Sequence, residues 1–370
     1  MNTHAAETLR PRTTAGLAPV LVDATHMSGR ALTGLERITL ELFSAEALSP
    51  LPVEPVEAPL PGLAGLVAGQ YIFLPLRLHR EPHAILLCPG FPPSVPLLHF
   101  GERIIPYIHD LFLLTRPQDL SRKARLYMAP AFRRAIRKLP RFFANSRTTA
   151  SELARHARPD AKIHLYRPQV RNVFGLSPQG RNDRPNPGPE LRLAAMGTLE
   201  PRKNLVAAAE ILHELRSNFF PEATLDIIGR EGWGDVAEKL RGRSGIRLHG
   251  HLPDGEVRRI LQAADIFVST SHDEGLGLPL LEVQHAGLPV IASDIPVFRE
   301  VLEDSGTFID PSDPYLAALR IFTMVRQEGW RARHAASALA NIRRWNALAE
   351  EDRRQVIALL TRLAGENGEG

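Results

Sequence analysis

"HDEGLGLPLLEVQHAGLPVIASD", residues 272–294, decides how this chain folds. The apolar run "DIFVST" (265–270) enters it as a strand, and "LPVIASD" (288–294) leaves it as another. Between them Pro279 stands where a helix opens, the position its fixed φ suits, and Gly287 stands where that helix stops. Strand, short helix and strand in that order make a parallel crossover. Gly275 and Gly277 let the backbone of the turn approach a ligand closely and leave N–H groups for its oxygens. Glu274 lies in the turn and Glu282 about one helical turn further on, so both carboxylates border one pocket at the strand ends. A carboxylate accepts from two neighbouring hydroxyls at once, which is what a sugar or ribose ring offers. Two glutamates eight residues apart carry no weight alone; the strand, glycine turn and helix around them supply it.

Upstream, the same rhythm continues. "LRLAAMG" (191–197), "ATLDIIG" (223–229) and "GIRLHGH" (245–251) read as strands, as does "GTFID" (306–310) downstream, with helical segments of about ten residues between them. Such alternation argues a parallel sheet covered by helices on both faces. In "AAMGTLEPRKNL" (194–205) a strand runs into a glycine, a polar turn and a helix beginning near Asn204. Arg202 and Lys203 stand at that helix start, where free N–H groups and the dipole already favour an anion. Two cations there work against the helix, so the pair reads as serving a phosphate; a solvated basic turn is the alternative. "GHLPDGEVRRIL" (250–261) places a loop before a helix capped by Asp254.

The first half is a second α/β pattern. Strand candidates are "APVLVDAT" (18–25), "QYIFLPL" (70–76), "AILLC" (84–88), "RIIPYIHD" (103–110), "RFFANS" (141–146) and "KIHLYR" (162–167), with a helix over 33–48. His109 ends one strand, where a histidine donates to a sugar hydroxyl or polarises an acceptor, or serves structure alone. Gly34 and Arg37 open the first helix, Gly34 facing a phosphate or simply closing a connecting turn; no G-x-G-x-x-G fingerprint follows any strand. Thr149 and Glu152 form a capping box. "SPQGRNDRPNPGPE" (177–190) cannot build a core and reads as a linker. The organisation expected is a disordered leader over 1–18, a domain over 19–176, the linker, a second domain over 191–345, and a helix and tail over 346–370 packing back on the first domain. The fold class is α/β, two Rossmann-like doubly wound domains.

Composition sets the surroundings. The 370 residues suit two domains, and 44% hydrophobic with 23% charged residues is a globular balance. Cys88 is the single cysteine, which excludes an internal disulfide and a cysteine-rich metal site. No run reaches the roughly 18–20 apolar residues of a bilayer span, and residues 1–19 lack the apolar core of a secretory signal, so the expected compartment is the cytoplasm. The net charge of +4 is modest, but nine Lys or Arg and a single acid fall between Arg116 and Arg141. Within that cluster "APAFRRAIRKLPRFF" (129–143) is a basic amphipathic helix, with Phe132, Ile136 and Leu139 along one stripe and Arg133, Arg134, Arg137 and Lys138 around it. It suits an anionic membrane surface, or packs its stripe on the domain's own sheet.

"EGLGLPLLE" (274–282) resembles the E-x7-E signature of retaining glycosyltransferases of family 4, which have the GT-B fold, and "GTLEPRKN" (197–204) resembles the phosphate-gripping turn of that family. The order of a His-Asp strand end, "ANS" (144–146), the basic turn and the paired glutamates fits as well, over about residues 100–294. The resemblance implies two domains facing across a cleft, with Glu274 on the donor sugar's hydroxyls and Glu282 on the ribose. It puts Lys203 and Arg202 on the diphosphate, the backbone of Gly275, Gly277 and Leu278 beside it, and His109 in the donor-sugar pocket. The loop with His251 and Leu252, and Arg230 nearby, would meet the nucleobase, an assignment an ordinary loop explains equally well. Many members carry Arg directly after the glycine of the basic turn, where this chain has Thr198; Thr-bearing turns are similar to those of mannosyltransferase-like members and favour GDP-mannose. The expected reaction moves a hexose from a nucleoside diphosphate donor to a glycan or lipid-linked saccharide, without a metal or other cofactor and without nucleic acid as partner. The rivals are a non-catalytic carbohydrate-binding protein of the same fold and a nicotinamide-dependent oxidoreductase.

Overall fold

The structure is a computed structural model, and it describes residues 17–27, 34–60, 62–116, 126, 128–181, 184 and 186–368. Most of the expected leader (1–16), the stretch 28–33 before Gly34 and part of the basic cluster (117–125 and 127) lie outside the described residues. The chain divides into two units: one takes the residues up to Pro168 and those from Leu348 onward, the other Gln169–Ala347.

The first unit is built on six parallel strands, β1 (Val20–Ala24), β2 (Val53–Glu57), β3 (Ile85–Cys88), β4 (Ile104–Ile108), β5 (Arg141–Ala144) and β6 (Lys162–Leu165), ordered β2-β1-β3-β4-β5-β6. Alternate residues feed opposite faces. Leu21, Leu86, Ile104 and Phe142 bury one face against Leu74, Leu78, Phe132 and Ile136 from the crossing helices. On the other, Phe43 packs edge-on to Tyr107 and Tyr166, each with ring centroids 5.4 Å apart, and the Tyr166 hydroxyl donates to the Leu42 carbonyl at 2.5 Å. The end of the chain closes this unit: Asp352 takes the buried Arg167 guanidinium at 2.7 Å, and the Ala18 N–H donates to the Ala364 carbonyl at 3.1 Å.

Two readings of the first half change here. "QYIFLPL" is helical, part of Gly62–Ala68, a π turn Gly69–Phe73 and Leu74–Arg80. The strand is instead Val53–Glu57, whose Pro55 is tolerated because β2 is an edge strand. The chain must then cross β1 to reach β3, and a parallel crossover of that length is helical. The helix after β5 begins three residues earlier than the expected capping box. Ser146 is its N-cap, accepting from the Thr149 N–H at 2.9 Å, so Thr149 and Glu152 lie inside it. In Ala129–Lys138, Phe132, Ile136 and the following Leu139 are buried, and Arg133, Arg134, Arg137 and Lys138 are exposed. Its apolar stripe therefore belongs to the core, and only its charges face out.

The second unit repeats the scheme with β7 (Arg192–Met196), β8 (Thr224–Ile228), β9 (Ile246–Gly250), β10 (Ile266–Ser269), β11 (Val290–Ser293) and β12 (Gly306–Ile309), all parallel, ordered β12-β11-β10-β7-β8-β9. Successive strands run outward from β7 to β9, and the chain then returns to lay β10 on the other side of β7. Loops leaving β7 and β10 thus diverge, the switch point at which doubly wound sheets bind ligands. Residues 169–176, read as first-domain, belong to this unit. Val170 is buried in its core, and its N–H donates to Asn346 Oδ1 at 2.7 Å. Within the linker stretch, Arg181 is buried and donates to the carbonyls of Ala286 (2.7 Å) and Ala264 (2.6 Å), which staples that stretch to the second unit. Asp254 is the first helical residue, with Pro253 at the cap.

The ends of β7 and β8 touch as backbone. A Cβ on Gly229 would stand 1.9 Å from the Gly197 carbonyl oxygen, and no side-chain rotation relieves a backbone clash. Gly229→Ala is therefore expected to cost about 1–3 kcal/mol of stability, read as a lowered melting temperature; an unchanged one would show that the two turns are free to part.

Candidate active site

Both loops of the β7–β10 switch point carry charge. β7 ends at Met196, and Gly197, at φ 148°, turns the chain beneath the Lys203 side chain; a Cβ there would lie 3.2 Å from Lys203 Cε. Pro201–Lys203 form a single 3-10 turn, stopped by Asn204 in the left-handed region at φ 49°, and the helix Leu205–Asn218 follows. The cations thus stand next to the first turn of the helix, just before it. Across the switch point, Thr270 at the end of β10 donates from its hydroxyl to the Asn204 carbonyl at 2.8 Å, and the His272 N–H donates to the Arg202 carbonyl at 2.9 Å. The two loops are tied together.

Glu274 sits between the cations. Arg202 Nη1 donates to its Oε2 at 2.8 Å, Lys203 Nζ pairs with its Oε1, and the Ser271 hydroxyl donates to Oε1 at 3.1 Å. Arg202 also grips Glu200 Oε1 at 2.7 Å and the Asp273 carbonyl at 3.1 Å. These side chains are only 6–17% exposed. Burial alone would raise the Glu274 pKa, but Lys203 and Arg202 outweigh it and hold the carboxyl below the usual 4.5. The carboxylate is ionised at neutral pH and is shared by the two cations.

Downstream, Gly277 takes φ 80° to start the short helix Leu278–Glu282, and a Cβ there would press to 2.8 Å on Phe298. Pro279 falls in its first turn, Glu282 is its last residue and is buried, and Gly287 ends the following turn at φ 62°. Thr198 is exposed in the β7 turn. Gly229 donates to the Gly250 carbonyl at 2.9 Å, and the Leu199 N–H donates to the Arg230 carbonyl at 2.9 Å. The turns bearing Thr198, Arg230 and His251 are therefore neighbours; Arg230 and His251 are exposed, and Leu252 is half-buried.

His109 and Gly34 belong to the first unit. Gly34 is exposed at the start of the helix Gly34–Phe43, with open space around the position of a Cβ. His109 follows β4, packs edge-on to Tyr107 at 4.7 Å, and borders an apolar hollow of about 300 Å³ lined by Phe91, Phe112 and Phe132 among others. Its Nε2 lies 2.6 Å from the Pro89 carbonyl, which only accepts, so the neutral ring carries its proton there and presents Nδ1 as an acceptor. Burial, opposed by that hydrogen bond, lowers its pKa to about 4. Of the two roles expected of His109, donating to a sugar hydroxyl or polarising an acceptor, this tautomer leaves Nδ1 to accept.

Sequence reasoning passed over Glu200, Ser271 and Asp273. Glu200 stood in the quoted turn, and two adjacent cations in a half-buried place already demanded acids beside them. Among the described residues, no group of three or more His, Cys, Asp or Glu is placed to hold a metal ion.

The fold and the switch-point site define a two-domain α/β protein of the GT-B kind. Residues 178–340, a stretch that includes the basic turn and both glutamates, match the family described as glycosyl transferases group 1. Over 156 residues the chain is 31% identical to the O-antigen chain mannosyltransferase B of Escherichia coli, covering 41% of each chain. Over 166 residues it is 31% identical to the phosphatidyl-myo-inositol mannosyltransferase of Mycobacterium tuberculosis, covering 41% of this chain and 43% of the relative. The chain thus spans about two fifths of the length of these relatives. Its fold is shared with the Anabaena protein HepE, solved with UDP and glucose, at a TM-score of 0.65 and 15% identity over 93% of this chain and all of that one.

His109 supplies a pH signature. A histidine whose folded pKa lies below its unfolded value gives up stability as pH falls from 6.5 towards 4, because the unfolded chain takes the proton first. The full loss is on the order of 3 kcal/mol. The melting temperature should fall less between pH 7 and pH 4.5 in His109→Gln than in the unsubstituted chain; identical falls would mean the ring titrates normally.

Proposed function

We propose that this chain is a retaining glycosyltransferase. It moves a hexose, mannose or a related sugar, from a nucleoside diphosphate donor such as GDP-mannose to a hydroxyl of a glycan or lipid-linked saccharide, in the synthesis of a surface polysaccharide or glycolipid. The observation that carries the reading is the clamp of Lys203 and Arg202 on Glu274 at the β7–β10 switch point. The group 1 match and the mannosyltransferase relatives support sugar transfer, and HepE, solved with UDP and glucose, supports a nucleotide-sugar donor.

In this reading the diphosphate lies on Lys203 and Arg202, with the backbone of Gly275, Gly277 and Leu278 and the Thr198 turn beside it. Glu274 takes donor-sugar hydroxyls, Glu282 the ribose, and the Arg230, His251 and Leu252 loops the base. The acceptor oxygen bonds to the anomeric carbon as the bond from that carbon to the diphosphate breaks, and the acceptor's proton passes to the departing phosphate oxygen on the same face. The cations stabilise the charge that gathers on that oxygen, the task a bound metal performs in other phosphate chemistry. His109, neutral above pH 5, accepts a hydroxyl at Nδ1.

Lys203→Ala should lower turnover by roughly 10²-fold or more, as loss of a preorganised donor does, while folding is kept; near-normal turnover would remove the diphosphate role. Glu282→Gln should weaken nucleotide binding in calorimetry, and EDTA should leave turnover unchanged. Inhibition by EDTA that a divalent cation reverses would end the metal-free reading.

The place of action we propose is the cytoplasmic face of a membrane, consistent with a lipid-linked acceptor. No helix among the described residues is long and apolar enough to cross a bilayer. Arg133, Arg134, Arg137 and Lys138 are exposed and would meet anionic head groups, each contributing on the order of 1 kcal/mol.

A further inference from the structure

The basic helix has buried its apolar stripe, so it offers lipid nothing but charge. A different element of the same unit offers the opposite. From Ala58 to Leu76 the chain runs 19 residues without a charged side chain. The structure makes most of that stretch helical, over Gly62–Ala68, Gly69–Phe73 and Leu74–Arg80. A helix on a protein surface ordinarily turns polar residues to water. Here Leu63 is 76% exposed, Ile72 53%, and Val67, Tyr71, Phe73 and Leu76 close to half. Leu63, Val67, Ile72 and Leu76 follow one another at four, five and four residues, the π turn supplying the five, so they form one ridge. Contiguous exposed apolar surface of this kind marks a contact with something apolar.

The ridge is held firmly. Leu74 and Leu78 are buried in the core. Gln70 is buried, donates to Asp23, and accepts from the Ser94 N–H at 3.3 Å, while the Ser94 hydroxyl donates to the Gln70 carbonyl at 2.5 Å. Arg77 is clamped by Glu54 at 2.8 Å and Glu81 at 2.6 Å. A fixed apolar ridge loses little conformational freedom when it is covered.

What covers it is argued from charge. The segment Leu97–Arg103 packs against both Leu74–Arg80 and Ala129–Lys138, and all three share the cluster that buries one face of the β1–β6 sheet. Leu74–Arg80, which carries Leu76 at the ridge's end, and the helix of the exposed cations Arg133, Arg134, Arg137 and Lys138 therefore cover one side of one sheet, and Arg80 adds an exposed cation at the ridge's own end. The nearby acids Glu54, Glu81 and Glu102 are paired with Arg77 and Arg141, and apolar side chains beside the remaining surface cations complement the boundary between acyl chains and anionic head groups. We infer that the helical segment Gly62–Arg80 is the insertion face of the first unit on an anionic lipid bilayer, its Leu63–Leu76 ridge entering the interface while the neighbouring cations meet the head groups. This rests on the membrane reading above only for the choice of partner.

Fluorescence of the full chain tests it. Cys88, the only native cysteine, is 1% exposed, so Val67→Cys takes an environment-sensitive label selectively. With vesicles of phosphatidylcholine and phosphatidylglycerol the emission should shift to the blue and be quenched by brominated acyl chains, and with phosphatidylcholine alone it should not. Leu63→Asp with Ile72→Asp should weaken co-sedimentation at least about tenfold with an unchanged melting temperature. Co-sedimentation that salt abolishes, with the label still in water, would overturn the insertion face and leave the cation contact standing. No co-sedimentation at all would overturn both. A blue shift that needs no lipid, rises with protein concentration and accompanies a doubled mass would make the ridge a contact between copies of this chain and overturn the inference.

Discussion

Glu274 lies between Lys203 and Arg202 where β7 and β10 part, and the local structure of the second unit is arranged around that contact. Charges this sheltered from water need partners. The partner loops come together because strand order places β10 against β7 although about 70 residues separate them in sequence. Asn204 accepts a left-handed backbone to end the turn that carries the cations, Thr270 holds that turn from the other side, and Gly277 turns the chain away into the helix that carries Glu282. The result is a preformed electrostatic site, in which a carboxylate fixes two cations that would otherwise repel each other and drift.

Such a clamp has a consequence for ligand binding. In the proposed reaction a diphosphate would share its cations with Glu274 instead of finding them free, which would moderate affinity for the phosphates, and a sugar beside Glu274 would draw on the same carboxylate. The proposed function would thus couple donor recognition and charge stabilisation through one side chain, an arrangement suited to a reaction in which negative charge grows on the phosphate only as the sugar leaves.

Much of this was legible in the sequence because local rules and tertiary demands agreed. The glycine turn, Pro279 and Gly287 bracket the helix of Glu282 as their backbone preferences require, and the strands of the second unit stand where apolar runs meet turn residues. Where the two disagreed, the reading failed. Tyr71, Ile72 and Phe73 favour a strand locally, yet the crossover to β3 makes them helical, and their exposure has no counterpart in intrinsic propensity. Glu200 and Ser271 stand within three residues of their partners Arg202 and Glu274, but the meeting of the two loops that shelters these pairs joins residues about 70 apart and is not written locally. The tautomer of His109 depends on Pro89, 20 residues away, and could not be read from the strand end alone.

If Glu274 restrains the cations proposed to receive the diphosphate, calorimetric titration of GDP and UDP into Glu274→Gln and Lys203→Ala will separate the two variants. Without sugar attached, either nucleotide that the chain takes should bind Glu274→Gln at least as tightly as the unsubstituted chain, since its cations are released, and should bind Lys203→Ala at least about tenfold more weakly, a difference near 1.4 kcal/mol. Equal loss of binding in both variants would contradict it, and would make the Glu274 clamp a structural tie unrelated to the phosphates.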